Sequence, residues 1–198
     1  MIKLIIFDVG GVIDTFDESQ YVEYISRKLD IDPKEFKGAL IPMLDKMEVG
    51  KLNLVQLEEA LSRKFGVTKK SLEWDVAFTK LNRLNGNVIK LIAKLSKKYD
   101  IAILTNVSRS RHIAKMERYL KNVKYDKMFT SCYLRMAKPD GRIYRFVLKK
   151  MNAKPHETIF VDNLKRNTDG ARRVGIGVIQ FTGYSDLVKG LKKTGIRW

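Results

Sequence analysis

Asp8 closes the apolar run Ile2–Phe7 and is followed at once by Val9-Gly10-Gly11-Val12-Ile13, so a carboxylate stands where a buried strand gives way to a glycine turn. In an open α/β sheet, ligands bind beyond the carboxyl ends of the strands. A carboxylate there can act as nucleophile, metal ligand or both. Taken alone, the segment reads equally well as an Asp bonded to its own turn. Asp162 ends a second run, Thr158-Ile159-Phe160-Val161, and is followed by Asn163, Asn167 and Gly170-Ala171. Two hard oxygen ligands on separate strand ends, with substrate and water completing an octahedron, suit Mg2+.

Two further segments add the chemistry that paired carboxylates lack. Ile101-Ala102-Ile103-Leu104 ends in Thr105-Asn106 ahead of a helix-like stretch, and hydroxyl, amide and free backbone N–H groups at a helix start are what a phosphate oxygen needs. The same residue types also cap helices. In Ala137-Lys138-Pro139-Asp140 the proline restricts the lysine to extended or turn geometry just before a helix. A phosphate monoester dianion repels a carboxylate, so an Asp nucleophile needs a cation and a lysine to neutralise the crowd. Lys138 is the candidate for that task, and a solvated surface lysine is the alternative reading.

The elements that must position these groups follow from hydrophobic period. Helical spacing marks Ser19–Leu29, Pro33 to about Leu44 with Pro42 expected to bend or end it, Leu54–Phe65 stopped by Gly66, and a weaker Ser71–Leu84. These make a helical insert over 15–85. Beyond it helix and strand alternate: helix 87–98, strand 101–104, helix 108–120, strand 129–133, helix 140–151, strand 158–161, helix 167–174, strand 177–181 and helix 185–191. Such alternation predicts an α/β fold, a Rossmann-like parallel sheet with helices on both faces, built from 1–14 and 86–198 and carrying a small α-helical cap.

In order, spacing and neighbours, Phe7-Asp8-Val9-Gly10-Gly11-Val12, Leu104-Thr105-Asn106, Lys138-Pro139 and Val161-Asp162-Asn163 with Asn167-Thr168-Asp169-Gly170-Ala171 resemble the four motifs of the haloacid dehalogenase-like (HAD) hydrolase superfamily. The resemblance spans nearly the whole chain. It implies a magnesium-dependent phosphatase in which Asp8 forms an aspartyl-phosphate, Thr105 and the neighbouring backbone hold phosphate oxygens, and Asn106 adds a polar contact. Lys138 would offset the growing charge, and Asp8, the Gly10 carbonyl, Asp162 and Asn163 would surround the metal.

The chain departs from the family pattern at Gly10, where most family phosphatases place a second aspartate that protonates the leaving oxygen and then activates water. General acid–base help of this kind contributes ~10² to 10⁴ in rate. Asn163 replaces the second acid often found in the fourth motif. Asp14, Asp17 or a cap residue is then expected to substitute for the missing acid, and a weakly active or inactive phosphate-binding protein is the alternative. Dehalogenation fits less well, because those enzymes commonly carry an aromatic residue where Gly10 stands.

Composition sets the outer bounds. At 198 residues and 44% hydrophobic, the chain buries a substantial core. No apolar run approaches the ~18 residues of a membrane span. The opening run is also too short for a signal peptide, so a cytoplasmic protein is expected. A lone cysteine, Cys132, excludes an internal disulfide and reads as a buried thiol in a strand. The net charge of +17 and the basic stretch Arg109, Arg111, Lys115, Arg118, Lys121, Lys124 make nucleic acid the runner-up partner, but no nucleic-acid motif accompanies them. A small phosphorylated metabolite, such as a sugar phosphate, is the expected substrate. Phe16, Tyr21, Tyr24, Met43, Met47 and Trp74 are candidates to line its pocket, and Lys46 and Arg83 to meet a second anionic group.

Overall fold

Short runs rich in β-branched and aromatic residues become the strands of one parallel sheet: β1 (Leu4–Phe7), β2 (Asp100–Thr105), β3 (Lys127–Thr130), β4 (Thr158–Asp162) and β5 (Gly177–Gln180), in the order β3-β2-β1-β4-β5. The computed structural model describes residues 1–74, 80–109 and 120–198. The fold is the α/β, Rossmann-like arrangement expected from the alternation of elements. From β1 the chain builds outward to β2 and β3, then crosses back to lay β4 and β5 on the other side. That reversal opens a crevice between the carboxyl ends of β1 and β4.

Register then brings the chemistry together. Phe7 pairs with Ile103 on one side and with Val161 on the other. The Asp8 N–H donates to the Val161 carbonyl at 2.9 Å. Asp8 therefore stands level with Asp162, on the two strands that flank the crevice.

Both faces of the sheet are covered, which is why the strands read as nearly unbroken apolar runs. Ile5, Phe7, Ile101, Ile103, Ile159 and Val161 point to one face. They belong to one continuous apolar core that also takes in residues of α1 (Glu18–Leu29), α2 (Pro33–Glu48), α3 (Leu54–Phe65), α4 (Gly86–Leu95) and, at the carboxyl end of the chain, α7 (Tyr184–Lys193). Leu4, Ile6, Ala102, Leu104 and Phe160 point to the other. They pack on α5 (Gly141–Met151) and α6 (Lys165–Arg172).

Side-chain caps fix the helix ends. Asp17 and Asp32 accept from Ser19 N and Glu35 N at 2.8 Å, and Asn53 and Gln56 form a reciprocal capping box. Gly66, at φ +65°, closes α3 in the left-handed region. Residues 13–15 and 83–85 run antiparallel as a neck, with Asn85 N bonded to Ile13 O at 2.8 Å and Thr15 N to Arg83 O at 2.9 Å.

The structure corrects several expectations. Helix α2 does not stop near Leu44 but continues through Pro42 to Glu48. Pro42 is exposed, and the buried Leu44 and Met47 beyond it pull the last turn onto the core, offsetting the lost backbone bond. The strand expected over 129–133 covers Lys127–Thr130, and Ser131–Leu134 turns helical. Cys132 is buried as expected, in that turn rather than in a strand, and burial pushes its thiol pKa up. The first part of the helix expected over 71–84 belongs to a 3₁₀ turn, Lys69–Leu72. Residues 75–79 of that helix, with Phe78, and most of the helix expected over 108–120 lie outside the described residues. Among the described residues no helix is long and apolar enough to cross a membrane.

Candidate active site

Lys138 is the hub. Its side chain is buried, and its ammonium donates to Asp8 Oδ1 at 2.8 Å, Asp162 Oδ2 at 2.7 Å and the Leu104 carbonyl at 3.1 Å. Three protons meet three acceptors. Burial would lower the lysine's pKa, but Asp162 and Asp8 more than offset it and hold the ammonium above its ordinary range. Unlike β4 and β1, Lys138 belongs to a loop, so its backbone has to be fixed by other means. Asn106 does this with a two-way clamp, its Oδ1 accepting from Lys138 N at 2.9 Å and its Nδ2 donating to Lys138 O at 2.9 Å.

Asp162 is fully buried and tightly held. Leu164 N donates to Oδ1 at 2.8 Å, and Asn167 Nδ2 reaches both oxygens at 3.1 and 3.0 Å. Asp8 Oδ1 accepts from Val9 N at 2.7 Å. Glycines allow the closest approaches. Gly11, at φ +75°, leaves the space into which Asn163 fits, since a Cβ there would lie 2.3 Å from Asn163 Nδ2. A Cβ on Gly170 would lie 2.6 Å from the Pro139 carbonyl, so α6 seats directly on the lysine loop.

Asp8, Gly10, Thr105, Asn106, Lys138 and Asn163 all line one cavity of about 80 Å³ at the carboxyl ends of β1 and β2. Asp162 lies behind Lys138 and Asn167 rather than on the cavity wall. Thr105 ends β2, and of the backbone amides after it, Val107 N is taken by Ser131 Oγ at 3.0 Å. The second amide proton of Asn106 goes to Glu48 Oε2 at 2.9 Å. Its carboxamide is therefore committed to positioning Lys138 and Glu48, and a phosphate oxygen would have to displace Glu48 to reach it.

Three charged residues that sequence reasoning passed over also face this cavity: Glu18 from α1, Glu48 from α2 and Arg166 from α6. Glu48 stands out by its surroundings. Burial, with Glu18 and Asp45 nearby, outweighs Lys138 and the Asn106 bond and pushes its carboxyl up to about 7. The only sequence signal was an unexplained acid six residues past a helix proline.

The other expected pocket residues divide. Phe16 and Met47 line the cavity. Tyr21 and Trp74 are buried against each other, rings edge-on at 4.5 Å, as core. Tyr24 donates to Glu73, and Met43 packs on the core. Lys46 is exposed on α2, and Arg83 bonds to the Lys80 and Asn82 carbonyls away from the cavity. Asp14 is buried between Phe16 N at 3.1 Å and Asn82 Nδ2 at 3.2 Å, off the cavity. In the basic stretch, Arg109 sits over the Tyr133 ring at 5.5 Å, and Arg111, Lys115 and Arg118 lie outside the described residues.

The donor set fits a hard divalent cation. Asp8 and Asp162 converge on one ammonium, and the buried Asn163 and Asn167 Oδ1 atoms lack a hydrogen-bond partner among the described residues. Among those residues there is no group of three acidic, histidine or cysteine side chains for a metal. A cation here thus depends on amide, carbonyl and substrate oxygens as well as the two carboxylates.

This arrangement, paired strand-end acids bridged by a lysine beside a threonine, defines a class, and comparison agrees with it. Residues 2–175 match the haloacid dehalogenase-like hydrolase family, and the chain belongs to that family. It is 28% identical over 193 residues to the D-ribitol-5-phosphate phosphatase of Bacteroides thetaiotaomicron, covering 91% of this chain and 92% of that protein. It is 30% identical over 115 residues to bifunctional epoxide hydrolase 2 of Rattus norvegicus, a match that spans 56% of this chain and 21% of that protein. A solved HAD-family enzyme from Bacteroides thetaiotaomicron, in complex with magnesium and inorganic phosphate, superposes with a TM-score of 0.77 at 22% identity. The superposition covers 94% of this chain and 99% of that one, and shows a shared fold.

Proposed function

We propose that this chain is a magnesium-dependent phosphatase that hydrolyses a small polyol or sugar phosphate through an aspartyl-phosphate on Asp8. The observation that carries the reading is the Lys138 bridge, which holds Asp8 and Asp162 at 2.8 and 2.7 Å from one buried ammonium. Asp8, Asp162, the Gly10 carbonyl and Asn163 would hold the cation. When bound, it supplies Lewis-acid charge for the phosphoryl oxygens.

The chain's own residues supply the rest. Asp8 attacks phosphorus, and its unattacking oxygen stays oriented by Val9 N–H and Lys138. Lys138 offsets charge on the transferring group, and the Asn106 clamp keeps it at the proper height. Thr105 offers its hydroxyl to a phosphate oxygen. The cavity wall argues for the rest of the substrate. It presents Asp17, Glu18 and Glu48 rather than a second basic cluster. Carboxylates accept bonds from hydroxyl groups and repel a second phosphate, which suits a polyol or sugar. Similarity to a ribitol-phosphate phosphatase supports the same class. Residues 15–85, joined to the sheet by the antiparallel neck, act as a cap over the core of 1–14 and 86–198.

Phosphate release from a panel of polyol, sugar and aryl phosphates, with and without magnesium, tests this. Magnesium-dependent release that Asp8→Asn reduces by at least ~10³ is expected. Undiminished release by Asp8→Asn, or none by wild type from any substrate, overturns the reading.

A further inference from the structure

The proposed phosphatase reading leaves one task unassigned: Gly10 has no side chain to protonate a leaving alkoxide or to activate water. Candidates for that task can be sorted by geometry. Asp14 is buried off the cavity with both oxygens engaged. Asp17 is exposed and committed to capping α1 through Ser19 N at 2.8 Å. Glu48 differs from both. It reaches from the last turn of α2 into the wall of the Asp8 cavity, and Oε2 is fixed by Asn106 at 2.9 Å. Asn106 in turn is clamped to the backbone of the lysine that holds Asp8. Glu48 is thus tied to the nucleophile by a chain of three contacts, although it comes from a different part of the fold.

We propose that Glu48 is the general acid and base of this enzyme, supplied by α2 in place of the side chain missing at Gly10. In the first step Asp8 Oδ attacks phosphorus and the P–O bond to the substrate breaks. The Glu48 proton passes to the leaving oxygen, giving an alcohol. In the second step the Glu48 carboxylate takes a proton from water as the water oxygen attacks the aspartyl-phosphate. The P–O bond to Asp8 breaks, inorganic phosphate leaves, and the Glu48 carboxyl is restored.

The environment suits a group that must alternate between both forms near neutral pH. Glu18 from α1, Asp45 from its own helix, Lys138 from the loop before α5 and the Asn106 amide surround it, with Asp17 and Arg166 on the same cavity wall. Together with burial they place its carboxyl near 7, a value matched to proton transfer in both directions.

The test is Glu48→Gln, which keeps an oxygen for Asn106, with Glu18→Gln as a second variant in the same cavity. For a polyol phosphate, a poor leaving group, Glu48→Gln should lower kcat/KM by ~10² to 10³. For p-nitrophenyl phosphate, whose leaving group departs without a proton, kcat/KM should change by less than ~10-fold. In that case kcat falls and a phosphoryl adduct on Asp8 accumulates, because water lacks its base. The alkaline fall in the wild-type pH profile of kcat/KM for the polyol phosphate should also disappear.

Equal losses for both substrates, or no loss, overturn the assignment. So does a leaving-group-dependent loss in Glu18→Gln and not in Glu48→Gln. Wild type that releases phosphate while Glu48→Gln matches it sinks this inference alone. Wild type that releases none sinks the phosphatase reading, and this inference with it.

Discussion

At the scale of the residue, one half-buried carboxyl carries both the chemistry and a cost in stability. Glu48 has a folded pKa of about 7 against an ordinary 4.5. Between those values the folded protein holds more protons at this site than the unfolded chain. Its contribution is therefore fully present below pH 4.5 and is lost as pH rises through about 7. Glu48→Gln should match wild type in thermal unfolding near pH 4 and exceed it near pH 8, by roughly 2–4 °C for each kcal/mol recovered. Identical melting curves at both pH values would contradict the site's electrostatics. A more stable but slower variant is the usual trade at an active site. The same residue shows what the sequence hid. Asp8, Thr105, Lys138 and Asp162 were legible because each stands at a strand end or precedes a proline just ahead of a helix. Glu48 was not, because its partners Asn106 and Lys138 lie 58 and 90 positions away, and only the fold brings them together.

At the scale of the element, α2 is where pattern and packing disagree. Proline inside a helix removes a backbone bond and argues for an end, yet α2 runs on because Leu44 and Met47 are buried beyond Pro42. Tertiary contact outweighs local preference, and the extra turn delivers Glu48. Restoring the bond should stabilise the protein. Pro42→Ala recovers a helix-interior penalty of about 3 kcal/mol and gives back about 1 kcal/mol of unfolded-chain entropy, a net gain near 2 kcal/mol. Denaturant titration measures it, and a loss of stability would show that α2 is not strained at this residue. Elsewhere local signals sufficed. Pro33 opens α2 and Gly66 closes α3 where the sequence expects. The strand expected at 129–133 shifted because its apolar residues serve two elements, Phe129 in β3 and Cys132 in the following turn.

At the scale of the whole molecule, the net charge of +17 lies outside the cavity, whose wall is rich in carboxylates. That distribution suits steering of an anionic substrate toward a site that then needs a cation to accept it. Steering is screened by salt. Raising ionic strength from ~0.01 to ~0.15 M shortens the Debye length from about 30 to about 8 Å, so kcat/KM for a phosphate dianion should fall severalfold. A flat profile would deny the surface charge that role. The parallel sheet with helices on both faces was legible from the alternation of elements, because helix crossovers return each strand in the same direction; the strand order was not. Which residues of 15–85 face the cavity was not legible, since those helices read only as amphipathic and nothing local says which residues meet the strand ends.

Every step proposed for this site passes through covalent phosphorylation of Asp8. Wild type and Glu48→Gln, mixed with magnesium and p-nitrophenyl phosphate, quenched in acid and digested, should yield the peptide containing Asp8 with a phosphoryl adduct that hydroxylamine removes, more of it in the variant. Phosphate release with no adduct on that peptide, and at the same rate in Asp8→Asn, would contradict an aspartyl-phosphate on Asp8.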